Sequence, residues 1–136
     1  MALHPSLNAM LVCDLTIREE RTGKVSLIGV FENIAAPAFP TVHRALAVYV
    51  KLVDAEGEYD IRLELMRLDD AKVIAEGRMQ ATFADRMAAS ELIFNLENLA
   101  FERPGRYEFR LHASERFVAG KSFTVIQAPA LAPEQR

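Results

Sequence analysis

The chain has 136 residues and a mass of 15.2 kDa, a length typical of one domain. Hydrophobic residues make up 51% of it, and 16 Lys and Arg against 19 Asp and Glu give a formal net charge of −3. This composition excludes a disordered chain and a disulfide scaffold, and the acidic balance argues against a nucleic-acid binder, whose surface carries a basic patch. We expect a single domain over residues 8–127, with flexible ends at 1–7 and 128–136.

The N-terminal residues predict neither a secretory signal nor a membrane span. Met1 to Ser6 lacks a basic region followed by a long apolar run, and no apolar stretch approaches the ~18 residues that suggest a spanning helix. The single cysteine, Cys13, lies in an apolar segment and cannot form an internal disulfide, which favours a reducing compartment. We therefore expect a cytoplasmic location.

The first part of the chain predicts two strands, a hairpin turn and a crossover. Residues 8–20 alternate, which is typical of a strand, and place on one face Leu11, Cys13, Leu15 and Ile17. A turn at Thr22-Gly23 leads into a second strand, 25–34, where Gly29 predicts a bulge or a close backbone approach. Residues 35–41 contain two prolines, which exclude a central strand, and predict a crossover between sheets.

Six further segments have strand patterns: 45–53, 59–65, 73–83, 91–96, 106–113 and 117–126. The clearest alternation is in 59–65, where Tyr59, Ile61, Leu63 and Leu65 share one face. Eight strands at turn spacings of about 8–12 residues are typical of a sandwich or barrel, and helical crossovers, which a parallel sheet requires, are absent from the pattern. The sequence predicts an all-β fold, a two-sheet antiparallel Greek-key sandwich.

The segment before the last hairpin narrows the range of possible folds. Pro104 and Gly105 fit the central positions of a type II turn, and Tyr107 begins the next strand. This arrangement resembles the tyrosine corner of immunoglobulin-like sandwiches, whose tyrosine hydroxyl bonds the backbone a few residues upstream. The resemblance covers roughly the last third of the chain and implies an immunoglobulin-like fold, while the lack of Trp and of a Cys pair excludes an antibody-type domain.

The whole chain resembles small uncharacterised bacterial β-sandwich proteins of the domain-of-unknown-function type. The matching elements are the Gly23-Lys24 turn, the stretch Leu27-Ile28-Gly29-Val30-Phe31, the Ala38-Phe39-Pro40 crossover, and the closing hairpin that starts at Pro104-Gly105 and continues through Tyr107 and Phe109. The resemblance implies no known activity.

No catalytic constellation occurs in the sequence, so we expect a protein that is not an enzyme and needs no cofactor. The three histidines, His4, His43 and His112, lack metal-ligand spacing. Neither a G-x-S-x-G elbow nor a glycine-rich phosphate loop occurs. Cys13 in an apolar strand is expected to have a raised pKa and to be unreactive.

An alternative function would use acidic turns at one end of the fold. Oxygen-rich loops at sandwich tips can hold Ca²⁺, although acidic residues also suit turns for conformational reasons. The candidates for a metal site are Asp54, Glu56, Glu58 and Asp60. In this alternative, the loops 54–60 or 69–72 bind an ion, an anionic lipid or a sugar, or hydrolyse a substrate.

The first three predicted strands carry apolar residues on both faces, more than one inner face can bury. One interpretation is a central strand that the crossover shields, with single apolar residues exposed. The other is a subunit or partner interface, since exposed apolar patches often mark interaction surfaces. The candidates for such an interface are Val12, Val30, Tyr49, Phe39 and Pro40. We expect a non-catalytic interaction or scaffold module that self-associates or binds a protein.

Overall fold

All regular structure in the computed structural model, which describes residues 4–129, is β-strand. The nine strands are β1 (Ser6–Arg18), β2 (Val25–Val30), β3 (Asn33–Ala36), β4 (Thr41–Val53), β5 (Gly57–Arg67), β6 (Lys72–Phe83), β7 (Ser90–Phe101), β8 (Gly105–Ala113) and β9 (Arg116–Gln127). The all-β prediction is confirmed. The described part of the chain holds no helix that is long and apolar enough to cross a membrane.

The strands form two sheets. One has four strands in the order β2-β1-β4-β7, and the other has five in the order β3-β9-β8-β5-β6. Neighbouring strands are antiparallel except for β3 and β9, which run parallel with Asn33 opposite Thr124. Side chains from both sheets meet in one apolar cluster, to which β4 contributes Leu46, Val48, Val50 and Leu52, and β5 contributes Tyr59, Ile61, Leu63 and Leu65.

Aromatic rings join the two sheets at one end of this core. Phe101 of β7 lies edge-on to Tyr107 of β8, with ring centroids 4.9 Å apart, and edge-on to Phe123 of β9 at 6.1 Å. Phe109 of β8 stacks on Phe123 at 5.5 Å. All four rings are at most 2% exposed. Edge-on and offset-stacked rings add to the free energy of simple apolar burial, so this cluster is a strong link between the sheets.

The predicted strand 25–34 is wrong as a single element. β2 ends at Val30 in the four-stranded sheet, and β3 begins at Asn33 in the five-stranded sheet. The predicted crossover at 35–41 is also too long, because Ala35 and Ala36 pair with β9. Between β2 and β4 the chain therefore changes sheet twice, and the apolar residues on both faces of 25–34 belong to two strands of different sheets.

The described ends of the chain are tied to the sheets. β1 already begins at Ser6, and Pro5 is buried. At the other end, the backbone N–H of Ala128 donates a 2.9 Å hydrogen bond to the carbonyl of Ala36. Residues 1–3 and 130–136 of the predicted flexible ends lie outside the described residues.

The turn before β8 holds Tyr107 in the conformation expected of it. Pro104 precedes Gly105, whose φ is +146°, and the hydroxyl of Tyr107 donates a 2.6 Å hydrogen bond to the carbonyl of Arg103, four residues upstream. The Tyr107 ring is fully buried, and this burial raises the pKa of its hydroxyl. The side chain therefore stays protonated and able to donate at neutral pH.

Candidate functional site

The β1–β2 hairpin leaves its own sheet halfway along. β1 pairs with β4 only as far as Cys13, opposite Ala47, and then continues to Arg18 paired with β2 alone. Arg18 Nη1 nevertheless lies 3.8 Å from Glu91 Oε1, and Glu91 lies opposite Lys51, towards the far end of β4. A straight β1 would carry Arg18 away from Lys51, so the hairpin folds back across the outer face of the four-stranded sheet.

The hairpin tip and the sheet border an open, shallow cleft of about 470 Å³, lined by Thr22, Gly23, Lys24, Val25, Tyr49, Lys51, Ala89 and Glu91. The hydroxyl of Tyr49 donates a hydrogen bond to the Glu91 carboxylate. Burial, together with this hydrogen bond, raises the pKa of Tyr49 to about 12. Tyr49 therefore holds Glu91 in place beneath the tip.

The folded-back hairpin covers apolar residues on the outer face of the sheet. Cys13 and Ala47 are 0% exposed and Tyr49 is 9% exposed, although none of the three belongs to the central core cluster. On the hairpin itself, Thr16, Val25 and Leu27 are half-buried. Burial raises the pKa of the Cys13 thiol, so the cysteine is protonated and unreactive in this position.

Four apolar side chains of the hairpin are exposed to solvent. Leu15 is 47% exposed, Ile17 52%, Ile28 45% and Val30 50%. Leu15 lies directly opposite Ile28 in the ladder between β1 and β2. We call these four residues the hairpin patch. Exposed apolar side chains that adjoin one another are typical of interaction surfaces, whereas single ones are common on any protein.

The five candidate interaction residues lie in different environments. Val30 belongs to the hairpin patch and Pro40 is exposed, whereas Phe39 is half-buried against the core. Val12 is fully buried in the core and Tyr49 is 9% exposed beneath the hairpin tip, so the exposed candidates of this set are Val30 and Pro40. β1 and β4 carry apolar residues on both faces because the five-stranded sheet covers one face and the hairpin covers the other.

Gly29 permits the close approach that the sequence predicts. Its φ is +70°, and a Cβ atom built there would lie 2.3 Å from Asp14 Oδ2. We expect Gly29→Ala to lower the free energy of unfolding by about 1–2 kcal/mol from the left-handed backbone alone, plus the cost of displacing Asp14, measured by urea denaturation. Gly23→Ala is the matched control, since Gly23 has φ +73° but open space around it. Equal losses in both variants would contradict a role for the contact.

A charged cluster joins the turn after β5 to the turn after β7. Arg67 is buried and donates from Nε and Nη2 to both carboxylate oxygens of Asp70, at 3.0 and 2.8 Å. Arg103 holds Asp69 in the same two-point manner, at 3.1 and 2.8 Å, and Glu102 Oε2 lies 3.5 Å from Arg67 Nη1. The hydrogen bonds from Arg67 hold the pKa of Asp70 well below its usual range. The carboxylates of the 69–72 loop are thus engaged by arginines.

The acidic turn before β5 does not assemble a metal site. Within residues 4–129 there is no group of three or more His, Cys, Asp or Glu side chains that could hold a metal ion. The candidates Asp54, Glu56 and Glu58 are exposed around the turn, and Asp60 accepts a hydrogen bond from Gln80. The positive φ of Asp54, 58°, is the turn conformation that favours such residues.

The described histidines lie apart from one another. His4 is exposed near the start of the chain. His43 of β4 contacts the ring of Phe31 at 6.0 Å, and His112 of β8 lies 3.8 Å from a Glu64 oxygen. Burial lowers the pKa of both His43 and His112.

Comparison with known proteins places the chain in a family without assigning it an activity. No curated protein matches the sequence. Residues 8–126 match a family of unknown function, DUF6941. The match spans β2 to β8 completely and all but the outer ends of β1 and β9. The match agrees with the resemblance to uncharacterised domain-of-unknown-function proteins. The chain is a member of the DUF6941 family.

Proposed function

We propose that this protein is a non-catalytic interaction module that self-associates through the hairpin patch. The observation that carries the proposal is the exposure of Leu15, Ile17, Ile28 and Val30, each about half exposed, at neighbouring positions of one hairpin. The carboxylates that could serve chemistry favour the same function, because Asp69 and Asp70 bind arginines and Glu91 binds Tyr49.

The framework that we propose for the module is an immunoglobulin-like Greek-key sandwich. Three observations support it: the shared core between the sheets, the parallel pairing of β3 with β9 beside the antiparallel β8 and β5, and the hydrogen bond from Tyr107 to the Arg103 carbonyl. We also propose a cytoplasmic location, which the single buried thiol of Cys13 favours.

A second copy of the chain is the occupant that the hairpin patch fits. The patch holds aliphatic side chains and no charge, so a two-fold axis can bring it against itself without burying an unpaired ion. An apolar patch of this kind covers a few hundred Å², below the ~800 Å² per partner of a stable interface. We therefore expect reversible, concentration-dependent association.

Polar replacement of the patch tests the proposal. We expect the double variant Leu15→Thr, Ile28→Thr to associate at least about tenfold more weakly, since apolar area drives association, while threonine keeps the strand propensity. Sedimentation velocity over a series of concentrations measures the association constant.

Val42→Thr is the matched control, because Val42 is 57% exposed on β4 and does not belong to the hairpin patch. It should leave the association unchanged. The proposal would be contradicted if the patch variant and the control associated equally, with both retaining the unfolding transition of the parent protein.

A further inference from the structure

β6 is a long, unpartnered edge of the five-stranded sheet. It has 12 residues, which pair with β5 on one side except at a register shift that skips Ile74, and on the other side it pairs with no strand of the described chain. Such an edge presents a row of unpaired backbone N–H and C=O groups, which is a template for a further strand. β3, at the opposite edge, has only four residues and offers a much shorter template.

A small apolar slot opens beside this edge at Gly77. Its volume is about 30 Å³, and its lining includes the buried Leu63, Leu65 and Phe109 together with Leu96 of the other sheet. No atom lies within 4 Å of the position that a Cβ of Gly77 would take. The core is therefore thinly covered at the middle of the free edge.

The charged residues on either side of Gly77 in β6 are complementary to those of a second, antiparallel copy of the same strand. Glu76 and Arg78 flank the glycine, share the outer face and form a 2.7 Å ion pair within the strand. If a second copy of β6 pairs antiparallel with Gly77 opposite Gly77, each Glu76 faces an Arg78 of the other copy. A shift of two residues either way instead places Glu76 opposite Glu76 or Arg78 opposite Arg78, and like charges directly opposite are destabilising.

The same register covers the slot. The inward side of β6 carries Ala75, Gly77 and Met79, since they pair with the inward residues Leu65, Leu63 and Ile61. Pairing about Gly77 places Met79 of one copy opposite Ala75 of the other, next to the slot. Met79 is 38% exposed, and its flexible side chain suits an irregular apolar gap.

We propose that β6 pairs with β6 of a second copy, antiparallel and in register about Gly77, to form a continuous ten-stranded sheet from two five-stranded sheets. This interface uses the other sheet and is independent of the hairpin patch. β7, the remaining long edge, carries only glutamates, Glu91 and Glu97, as charged residues, so its self-pairing lacks the complementary charges.

Disulfide trapping tests the register. Directly opposite residues of an antiparallel pair have Cα atoms ~4.5–5.5 Å apart, within the ~4.4–6.8 Å range of a disulfide. We expect Gly77→Cys to form a covalent dimer under mild oxidation, at least about tenfold faster than Thr82→Cys. In this register Thr82 lies opposite Lys72, far from its own symmetry mate. The buried Cys13 is present in both variants, and comparable dimer yields would overturn the register.

Charge exchange tests the pairing without a cysteine. In the Leu15→Thr, Ile28→Thr background, which removes the hairpin patch, sedimentation should still detect a dimer. Glu76→Arg alone, or Arg78→Glu alone, should weaken it by about tenfold, because both cross-strand pairs become like-charged. The double exchange E76R/R78E should restore the affinity. A monomer in this background, or a double exchange no better than the single ones, would overturn the β6 pairing and leave the hairpin proposal standing.

Discussion

Phe101→Ala is expected to lower the free energy of unfolding by about 3–5 kcal/mol, the usual loss for a large aromatic side chain in a core. Phe101 is fully buried, and its ring is the contact of the four-stranded sheet with Tyr107 and Phe123 of the five-stranded sheet. Domains of this kind have a total stability of only ~5–15 kcal/mol, so the variant should be close to unfolding at 37 °C. Equilibrium denaturation in urea measures the loss.

Phe117→Ala is the matched control for that measurement. Phe117 is 46% exposed, and its main contacts are the Arg110 guanidinium, 4.6 Å from the ring centroid, and His112. We expect a loss below about 1 kcal/mol, typical of a partly exposed ring with a cation–π contact. If the two variants lost equal stability, Phe101 could not be the principal aromatic link between the sheets.

Tyr107→Phe is expected to lower the free energy of unfolding by about 1–3 kcal/mol, because the part-buried hydrogen bond would be lost and the Arg103 carbonyl would be left without this donor. The ring and its packing against Phe101 and Phe123 are retained, so the measurement reports the loss of the hydroxyl contacts, the 2.6 Å hydrogen bond to the Arg103 carbonyl and the interaction with Arg67. Urea denaturation of the variant and the parent, compared at one temperature, gives the difference.

Arg103→Ala distinguishes the contribution of the Tyr107–Arg103 hydrogen bond from that of the ion pair between Arg103 and Asp69. This variant removes the contact with Asp69 but keeps the backbone carbonyl that Tyr107 binds, and the Arg103 side chain is 45% exposed. Ion pairs at such positions contribute little, so the loss should be smaller than that of Tyr107→Phe. The reverse order would reject the tyrosine corner as a stabilising element.

Period-two alternation was enough to place most strands. In β5 and β8, inward and outward residues alternate regularly along the strand. The predicted segments 59–65 and 106–113 lie inside these observed strands. The alternation pattern predicted the wrong inward face for β1, where both faces of the strand carry apolar residues. It grouped Leu11, Cys13, Leu15 and Ile17 on one face, but that face is the outer one, since Met10 and Val12 of the same strand belong to the core.

The folded-back hairpin and the arginine cluster depend on tertiary contacts that local patterns do not encode. The return of the hairpin brings together Arg18 and Glu91, which are far apart in the sequence. The sequence does contain one indication of the arginine cluster, because Arg67 continues the inward alternation of Tyr59, Ile61, Leu63 and Leu65. An arginine at an inward position needs carboxylate partners, and Asp69 and Asp70 follow it directly.

The cover that the hairpin places over Cys13 gives the protein an intrinsic reporter. The sulfur is the one thiol of the chain, and Cys13 is fully buried where the hairpin leaves the sheet. We expect a thiol reagent to reach it through local opening around the hairpin, so the labelling rate reports the frequency of that opening. Any ligand, partner or substitution that tightens or loosens the hairpin can thus be read in the native protein from the modification kinetics of a single atom.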